Sequence, residues 1–180
     1  MHEVAHQAAG HAYAGPVILR RARPEELAAV GELTLAAYVA DGFLESDHAY
    51  ARELRAAAHR AAEAELIVAV DPASHEVLGT VTFCLNGSHY AEISQAGEAE
   101  FRMLAVAPTA RGHGIGHDLT RWCVDRAREQ GCTAVALSTL DRMHTAHRLY
   151  ERMGFRRRPD RDWTPTPEIT LLAYLLELQP

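Results

Sequence analysis

Cysteine is scarce in this sequence. The three residues, Cys84, Cys123 and Cys132, are an odd number and form no paired framework. That excludes a disulfide scaffold, and with it the usual cysteine pattern of small secreted domains. Each cysteine falls inside a periodic apolar segment with no local Cys-His pattern, so buried, reduced thiols are expected rather than a nucleophile. Long apolar runs are missing too, none approaching the roughly eighteen residues of a membrane span. The first residues lack a basic stretch followed by an apolar one, so no secretory signal is expected and the expected compartment is the cytoplasm. Basic charge is thin: 18 Lys plus Arg stand against 24 Asp plus Glu, a net charge of −6, and they are spread along the chain. A dedicated nucleic-acid binder needs a concentrated cationic footprint, which is not here. The short runs Arg20-Arg21-Ala-Arg23 and Arg156-Arg157-Arg158 read as solvated strand ends. Twelve Gly and eight Pro are too few for a disordered chain.

What is present is an ordinary globular composition, 48% hydrophobic and 23% charged over 180 residues, enough for one domain and its core. Residues 1–16, rich in Ala, Gly and His, have no sustained period and read as a flexible leader; residues 17–180 read as a single domain. A strand over 17–22 leads to a helix opening at Pro24 and running to about Ala40, with Leu27, Val30, Leu33, Ala37 and Tyr38 on its apolar face. Ser46 is placed to cap a second helix, Asp47 to about Ala62, with Tyr50 and Leu54 inward. A short apolar run predicts a strand at Glu65–Val70 and alternating residues its hairpin partner at Glu76–Cys84, and a polar loop over 86–97 follows. A strand at Glu98–Val106, a helix from Gly114 to Gln130 closed by Gly131, and a strand at Cys132–Leu140 form a crossover that makes the two strands parallel. Asp141 is placed to cap a last helix ending at Gly154, and Phe155–Arg158 and Glu168–Glu177 supply final strands around a turn-rich 159–167. The expected class is α+β: a mixed sheet with helices on both faces. The apolar C-terminal strands offer a dimer edge, so a monomer and a homodimer both stay open.

The chemistry concentrates at Arg111-Gly-His-Gly-Ile-Gly116, where a strand and short loop hand over to a helix. Glycine clears side chains from the path of a ligand, and the first helical turn exposes unpaired amides at its positive end, a seat for phosphate. A Walker loop needs Lys then Ser or Thr, whereas Gly116 is followed by His117-Asp118. A dinucleotide fingerprint needs a glycine where His117 stands. His113 and His117 lie four apart, but no further ligand suggests a metal, and none is expected. The preceding strand carries Glu100 and the following helix Tyr150, a plausible base and acid for chemistry on a thioester.

Two motifs in order, Arg111-Gly-His-Gly114-Ile-Gly116 after Glu100–Val106, and Ala146-His-Arg-Leu149-Tyr150-Glu-Arg-Met-Gly154-Phe155, make the chain resemble the GCN5-related N-acetyltransferase (GNAT) superfamily over about residues 17–178. The resemblance implies the GNAT acyl-CoA N-acyltransferase fold, with a mixed, mostly antiparallel sheet flanked by helices. It implies acetyl transfer from acetyl-CoA to a primary amine by direct attack in a ternary complex. The acceptor would be a small-molecule amine or an amine of a protein or peptide. Amides from Arg111 through Gly112, His113, Gly114 and Ile115 to Gly116 would hold the pyrophosphate. The main chain of Leu104, Ala105 and Val106 would pair with the pantetheine arm, and an amide near Leu104 would polarise the thioester carbonyl. Tyr150 would protonate the departing thiolate; it also fits a plain core aromatic. Glu100 would serve as base; a charged residue on a wet strand face, shared with Glu98 and Arg102, is the alternative. Many members carry an asparagine where this chain has Met143, so Ser138, Thr139 or His144 would supply that polar contact to the arm. His89, Tyr90, Glu92, Asp162 and Trp163 are positioned to line an acceptor pocket. The competing class is a non-catalytic acyl-CoA-binding regulatory domain.

Overall fold

The computed structural model describes residues 15–179 except 41, 43–49, 167 and 168. The leader over 1–14 and the expected Ser46 cap lie outside the described residues. The chain enters the sheet at β1 (Ile18–Arg21) and turns through a short 3-10 segment, Pro24–Glu26, into α1 (Leu27–Ala40). Glu26 fastens this corner: its carboxylate accepts from the Arg23 amide at 2.8 Å and is bound by both Arg20 guanidinium nitrogens. α1 buries Val30, Thr34 and Ala37, residues three or four apart, which is the stripe a core-facing helix needs.

The predicted second helix is instead two, α2 (Ala51–Arg55) and α3 (Ala57–Glu63), broken at Ala56. The Leu54 carbonyl, which an uninterrupted helix would give to the amide of Ala58, accepts from the buried Arg60 guanidinium at 2.9 Å. The same guanidinium donates to Thr34 Oγ1 of α1 at 3.0 Å and to Thr82 Oγ1 at 3.2 Å, tying this corner to the sheet. At Gly31 α1 comes so close to α2 that a Cβ would lie 2.4 Å from the Arg55 carbonyl oxygen.

β2 (Glu65–Val70) and β3 (Val77–Leu85) form the expected hairpin, its turn held by Asp71, which accepts from the Ala73 amide and the Ser74 hydroxyl at 2.9 Å. β4 (Glu98–Val106), α4 (Ile115–Glu129) and β5 (Ala134–Leu140) make the parallel crossover. α5 (His144–Arg152) starts two residues later than a cap at Asp141 would place it. Met143 takes the cap position without a side-chain bond, and its amide closes a turn onto the Leu140 carbonyl. β6 (Arg156–Arg157) and β8 (Ile169–Glu177) follow as expected, but part of the turn-rich stretch is a strand, β7 (Trp163–Thr166), paired with β8.

The described strands form one mixed sheet in the order β1-β2-β3-β4-β5-β8-β6, antiparallel everywhere except at β4–β5. β2 shows how the two faces divide. Ile67 and Ala69 pack with Leu119 and Cys123 of α4, whereas Leu66, Val68 and Val70 pack with Val30 and Ala57 from α1 and α3. The basic runs are paired: Arg20 with Glu26, Arg21 with Glu65, Arg157 with Asp162 and Arg158 with Asp160. Cys84 and Cys123 are buried as expected; Cys132 is only half-buried, because it precedes β5 rather than lying within it.

Candidate active site

The turn before α4 is shaped by its glycines. Gly112 and Gly114 have φ of 82° and 81°, the left-handed region that side chains resist, and no atom lies within 4 Å of where a Cβ would stand. The backbone is therefore bent and left open on one side. Gly114 caps α4, whose first-turn amides have no carbonyl one turn earlier to accept them. Arg111 braces the turn: its guanidinium donates to the Ala37 carbonyl at the end of α1 at 3.1 Å and to the Val106 carbonyl at 3.4 Å. His113 and His117 are exposed, the first beside the Ala110 carbonyl and the second beside Asp118, each at 3.4 Å. This is a cradle that fits a phosphorylated group: open backbone and a helix N-terminus, with Arg111 bracing it.

Next to it the sheet splits. β4 and β5 are laddered only from Glu98 to Glu100, opposite Ala134 to Ala136. At the far end of β4 a bulge sets Met103 and Leu104 against the single residue Val81 of β3, with Met103 at φ 51°. Beyond Glu100 the strands part around a cavity of about 390 Å³, lined on one side by Phe101–Leu104 and on the other by Ser138–Leu140. Main-chain groups of Leu104, Ala105 and Val106 thus run along a strand edge that β5 does not pair. Leu104 joins cavity to cradle, since a Cβ on Gly116 would sit 3.8 Å from both Leu104 and Val106 and 3.6 Å from Leu149. Ile115 is buried in the core under α4, so that only its amide belongs to the turn.

Tyr150 lines this cavity from α5 and is 5% exposed, among Phe101, Phe155 and Tyr174 with ring centroids 5.8 to 6.2 Å away. Burial raises its phenol well above the ordinary value, which keeps it protonated. Tyr150 is thus a core aromatic that also forms part of the cavity wall. Thr139 and Ser138 also line the cavity, and the Thr139 hydroxyl lies 3.6 Å from the Met143 sulfur. His144 does not line it; it is exposed at the start of α5, edge-on to His147.

Glu100 is fully buried and is not among the residues lining the cavity. Its Oε2 accepts three successive amides of the 86–97 loop, those of Glu92, Ile93 and Ser94, at 2.9, 3.0 and 3.0 Å. The alternative of a wet strand face for Glu98, Glu100 and Arg102 does not hold, because this loop folds its amides over the Glu100 carboxylate. Glu98 pairs with Arg161 at 2.7 Å, both side chains largely covered. Glu92, not Glu100, reaches the cavity from this loop, 2.7 Å from the Arg102 guanidinium. Burial, opposed by Arg102 and reinforced by Glu100 and Glu53, pushes the Glu92 carboxyl up to about 7.

Of the five residues expected to line an acceptor pocket, Glu92 and Trp163 do so. Tyr90 is buried behind, its hydroxyl 2.7 Å from His59; His89 stands edge-on beside them, and Asp162 is held by Arg157 and the Ala173 amide. Sequence reasoning passed over Tyr38, Tyr50, Glu53 and Arg102, which complete the wall. The two tyrosines carry a signal, since the sequence puts both on the inward faces of their helices. Glu53 and Arg102 carried none. Among the described residues no three His, Cys, Asp or Glu side chains converge as metal ligands, and no helix is long and apolar enough to cross a membrane.

Comparison with known proteins adds to this geometry. The model of the acetyltransferase (GNAT) family matches residues 28–155. The aminoalkylphosphonate N-acetyltransferase of Salmonella typhimurium is 39% identical over 57 residues, 32% of this chain and 37% of that protein. The matched segments span about a third of the length of the curated relatives. Among solved structures, a GNAT-family acetyltransferase from Staphylococcus aureus superposes with a TM-score of 0.71 at 16% identity, covering 91% of this chain and 99% of that one. A GNAT-family acetyltransferase from Brucella melitensis, in complex with acetyl-CoA, gives 0.57 at 22% identity, covering 94% and 91%. These likenesses establish the mixed, mostly antiparallel sheet with flanking helices as the fold of that family.

Proposed function

The chain belongs to the acetyltransferase (GNAT) family, and from that premise we propose that it moves an acetyl group from acetyl-CoA to a primary amine by direct attack in a ternary complex. The observation that carries this reading is the continuity of the glycine cradle with the cavity, through Leu104, to the buried Tyr150. Bound acetyl-CoA would supply an activated acyl thioester. The amides of Gly112 to Gly116 would hold its pyrophosphate and the unpaired edge of Leu104, Ala105 and Val106 its arm, with the Leu104 amide directed at the thioester oxygen.

Glu92 is the base we favour over Glu100. It lies in the cavity, its carboxyl titrates near neutrality, and it can take one proton from an arriving ammonium. The freed nitrogen lone pair forms the C–N bond as the C–S bond breaks. Tyr150 gives its phenolic proton to the sulfur, and the second nitrogen proton returns to the tyrosinate, leaving one proton on Glu92 for release to solvent. Glu100 then acts as a positioning residue, holding the amide of Glu92 itself. Thr139 and Ser138, which line the cavity, would supply the missing asparagine's contact to the arm. No cysteine is required: none lines the cavity, and burial pushes the Cys84 thiol up to about 12. Reduced thiols suit a cytoplasmic setting.

The test is release of CoA thiol from acetyl-CoA across a panel of primary amines. Amine-dependent release is expected. Tight acetyl-CoA binding with no release for any amine would favour the non-catalytic binding domain instead.

A further inference from the structure

The acceptor end of the cavity has an unusual charge composition. Among the described lining residues three are charged, Glu53, Glu92 and Arg102. The single cation is already engaged: Arg102 lies 2.7 Å from Glu92 and 3.7 Å from Glu53, and also donates to the Tyr90 carbonyl at 3.4 Å, with its side chain only 10% exposed. One cation against two carboxylates leaves one negative charge in excess whenever Glu92 is ionised. A carboxylate or phosphonate on the acceptor would have to break the Arg102–Glu92 pair and strand Glu92 beside Glu53 and Glu100 in a poorly solvated place. An ammonium would instead cancel the excess.

Among the described residues the rest of that end is mostly aromatic and apolar. Tyr38 comes from the end of α1, Tyr50 from the start of α2, and Trp163, Pro165 and Ile169 from the β7–β8 side. The Trp163 indole N–H is spent on Ser138 Oγ at 3.2 Å, so the remaining surface of that side chain offers apolar contact. Tyrosine and tryptophan rings also favour a nearby organic cation. The cavity of about 390 Å³ is at the small end for ligand sites and must also admit the acyl end of the thioester. A long or heavily hydrated polyamine matches neither its size nor its lining.

We propose that the acceptor is a small primary amine on an aromatic or apolar body, lacking any acidic group, with its ammonium drawn to Glu53 and Glu92 and its body packed against Tyr38, Tyr50 and Trp163. This rests on the acetyl-transfer reading for its role as acceptor, but the ligand class has its own readout. Calorimetric titration of the CoA-loaded protein at about pH 8, where Glu92 is ionised, compares 2-phenylethylamine, phenylalanine, 2-aminoethylphosphonate and spermidine. CoA release is then measured with the same four amines. The expected result is that 2-phenylethylamine binds at least about tenfold more tightly than each of the others. Replacing the half-exposed Glu53 by Gln should weaken 2-phenylethylamine by about tenfold while narrowing its advantage over phenylalanine. Binding of 2-phenylethylamine without its acetylation sinks the transfer reading and upholds the ligand class. Equal or tighter binding of phenylalanine or 2-aminoethylphosphonate overturns the exclusion of acids, equal or tighter binding of spermidine overturns the apolar body, and binding of none of the four overturns the proposal.

Discussion

Glu100 and Glu92 are linked through the backbone: the buried Glu100 carboxylate accepts the Glu92 amide at 2.9 Å, and the Glu92 carboxylate in turn reaches Arg102 at the cavity wall. Two glutamates eight residues apart thus divide one task. The strand residue shapes the loop, and the loop residue meets the cavity.

The division predicts different pH behaviour for the two. Activity should rise with pH through about 7, because Glu92 must lose its proton to act as base. Glu92→Gln should lower kcat/KM about a hundredfold or more and abolish that rising limb. Glu100→Gln should lower the melting temperature and raise KM, yet keep a rising limb in the residual activity. A Glu100→Gln enzyme that lost the limb, beside a Glu92→Gln enzyme that kept it, would return the base to Glu100. Stability should move the other way in this window. A carboxyl whose folded pKa is raised binds its proton more tightly in the native state, so its contribution is present at low pH and is lost as pH climbs through about 7.

Tyr150 invites a cleaner separation of binding from chemistry. Removing its hydroxyl leaves the ring among Phe101, Phe155 and Tyr174, so Tyr150→Phe should fold and bind acetyl-CoA within about twofold of the parent. Its kcat should fall about a hundredfold. Because burial raises the phenol, the parent should show no alkaline loss from Tyr150 up to pH 10 or so. Stopped-flow CoA release over that range reads both effects.

The cysteines supply a third expectation. Buried thiols raised above their usual range are poor nucleophiles, and no cysteine borders the cavity. A Cys84→Ala, Cys123→Ala, Cys132→Ala protein should therefore retain transfer within about threefold while losing some thermal stability from the two buried sites. Mass spectrometry of a single-turnover mixture should find no acetyl group on cysteine in the parent. An acetyl-cysteine formed and consumed at the rate of turnover would exclude direct attack.

Much of this was legible because it rests on local rules. The strand expected at Glu98–Val106 has the bounds of β4, and the glycines at 112 and 114 announce an open turn because few other residues tolerate it. What escaped was set by long-range contacts. Arg60 splits a helix that its own sequence would continue, through bonds to Thr34 and Thr82, which lie 26 and 22 residues away. Glu100 looks like a surface charge until the loop amides close over it. Arg102 and Glu53, from different elements, have no shared pattern in the chain and meet only at the cavity wall.

Two glycines separate the cost of a side chain in the scaffold from its cost at the cradle. At Gly31 the backbone is helical, but a Cβ would lie 2.4 Å from the Arg55 carbonyl oxygen, and neither helix backbone can yield locally. Gly31→Ala should therefore destabilise by about 1–3 kcal/mol, lowering the melting temperature by several degrees. It should also disturb the acceptor side, since α1 and α2 carry Tyr38 and Glu53 to the cavity wall. At Gly114 nothing stands within 4 Å of a Cβ, but φ is 81°, so Gly114→Ala costs about 1 kcal/mol through the backbone alone. If that backbone holds the pyrophosphate, Gly114→Ala should weaken acetyl-CoA about tenfold, whereas Gly31→Ala should leave acetyl-CoA affinity nearly intact and raise KM for the amine. Titration calorimetry with acetyl-CoA beside thermal melts of both variants distinguishes the two; equal loss of acetyl-CoA affinity in both would mean that the turn has no special share in holding phosphate.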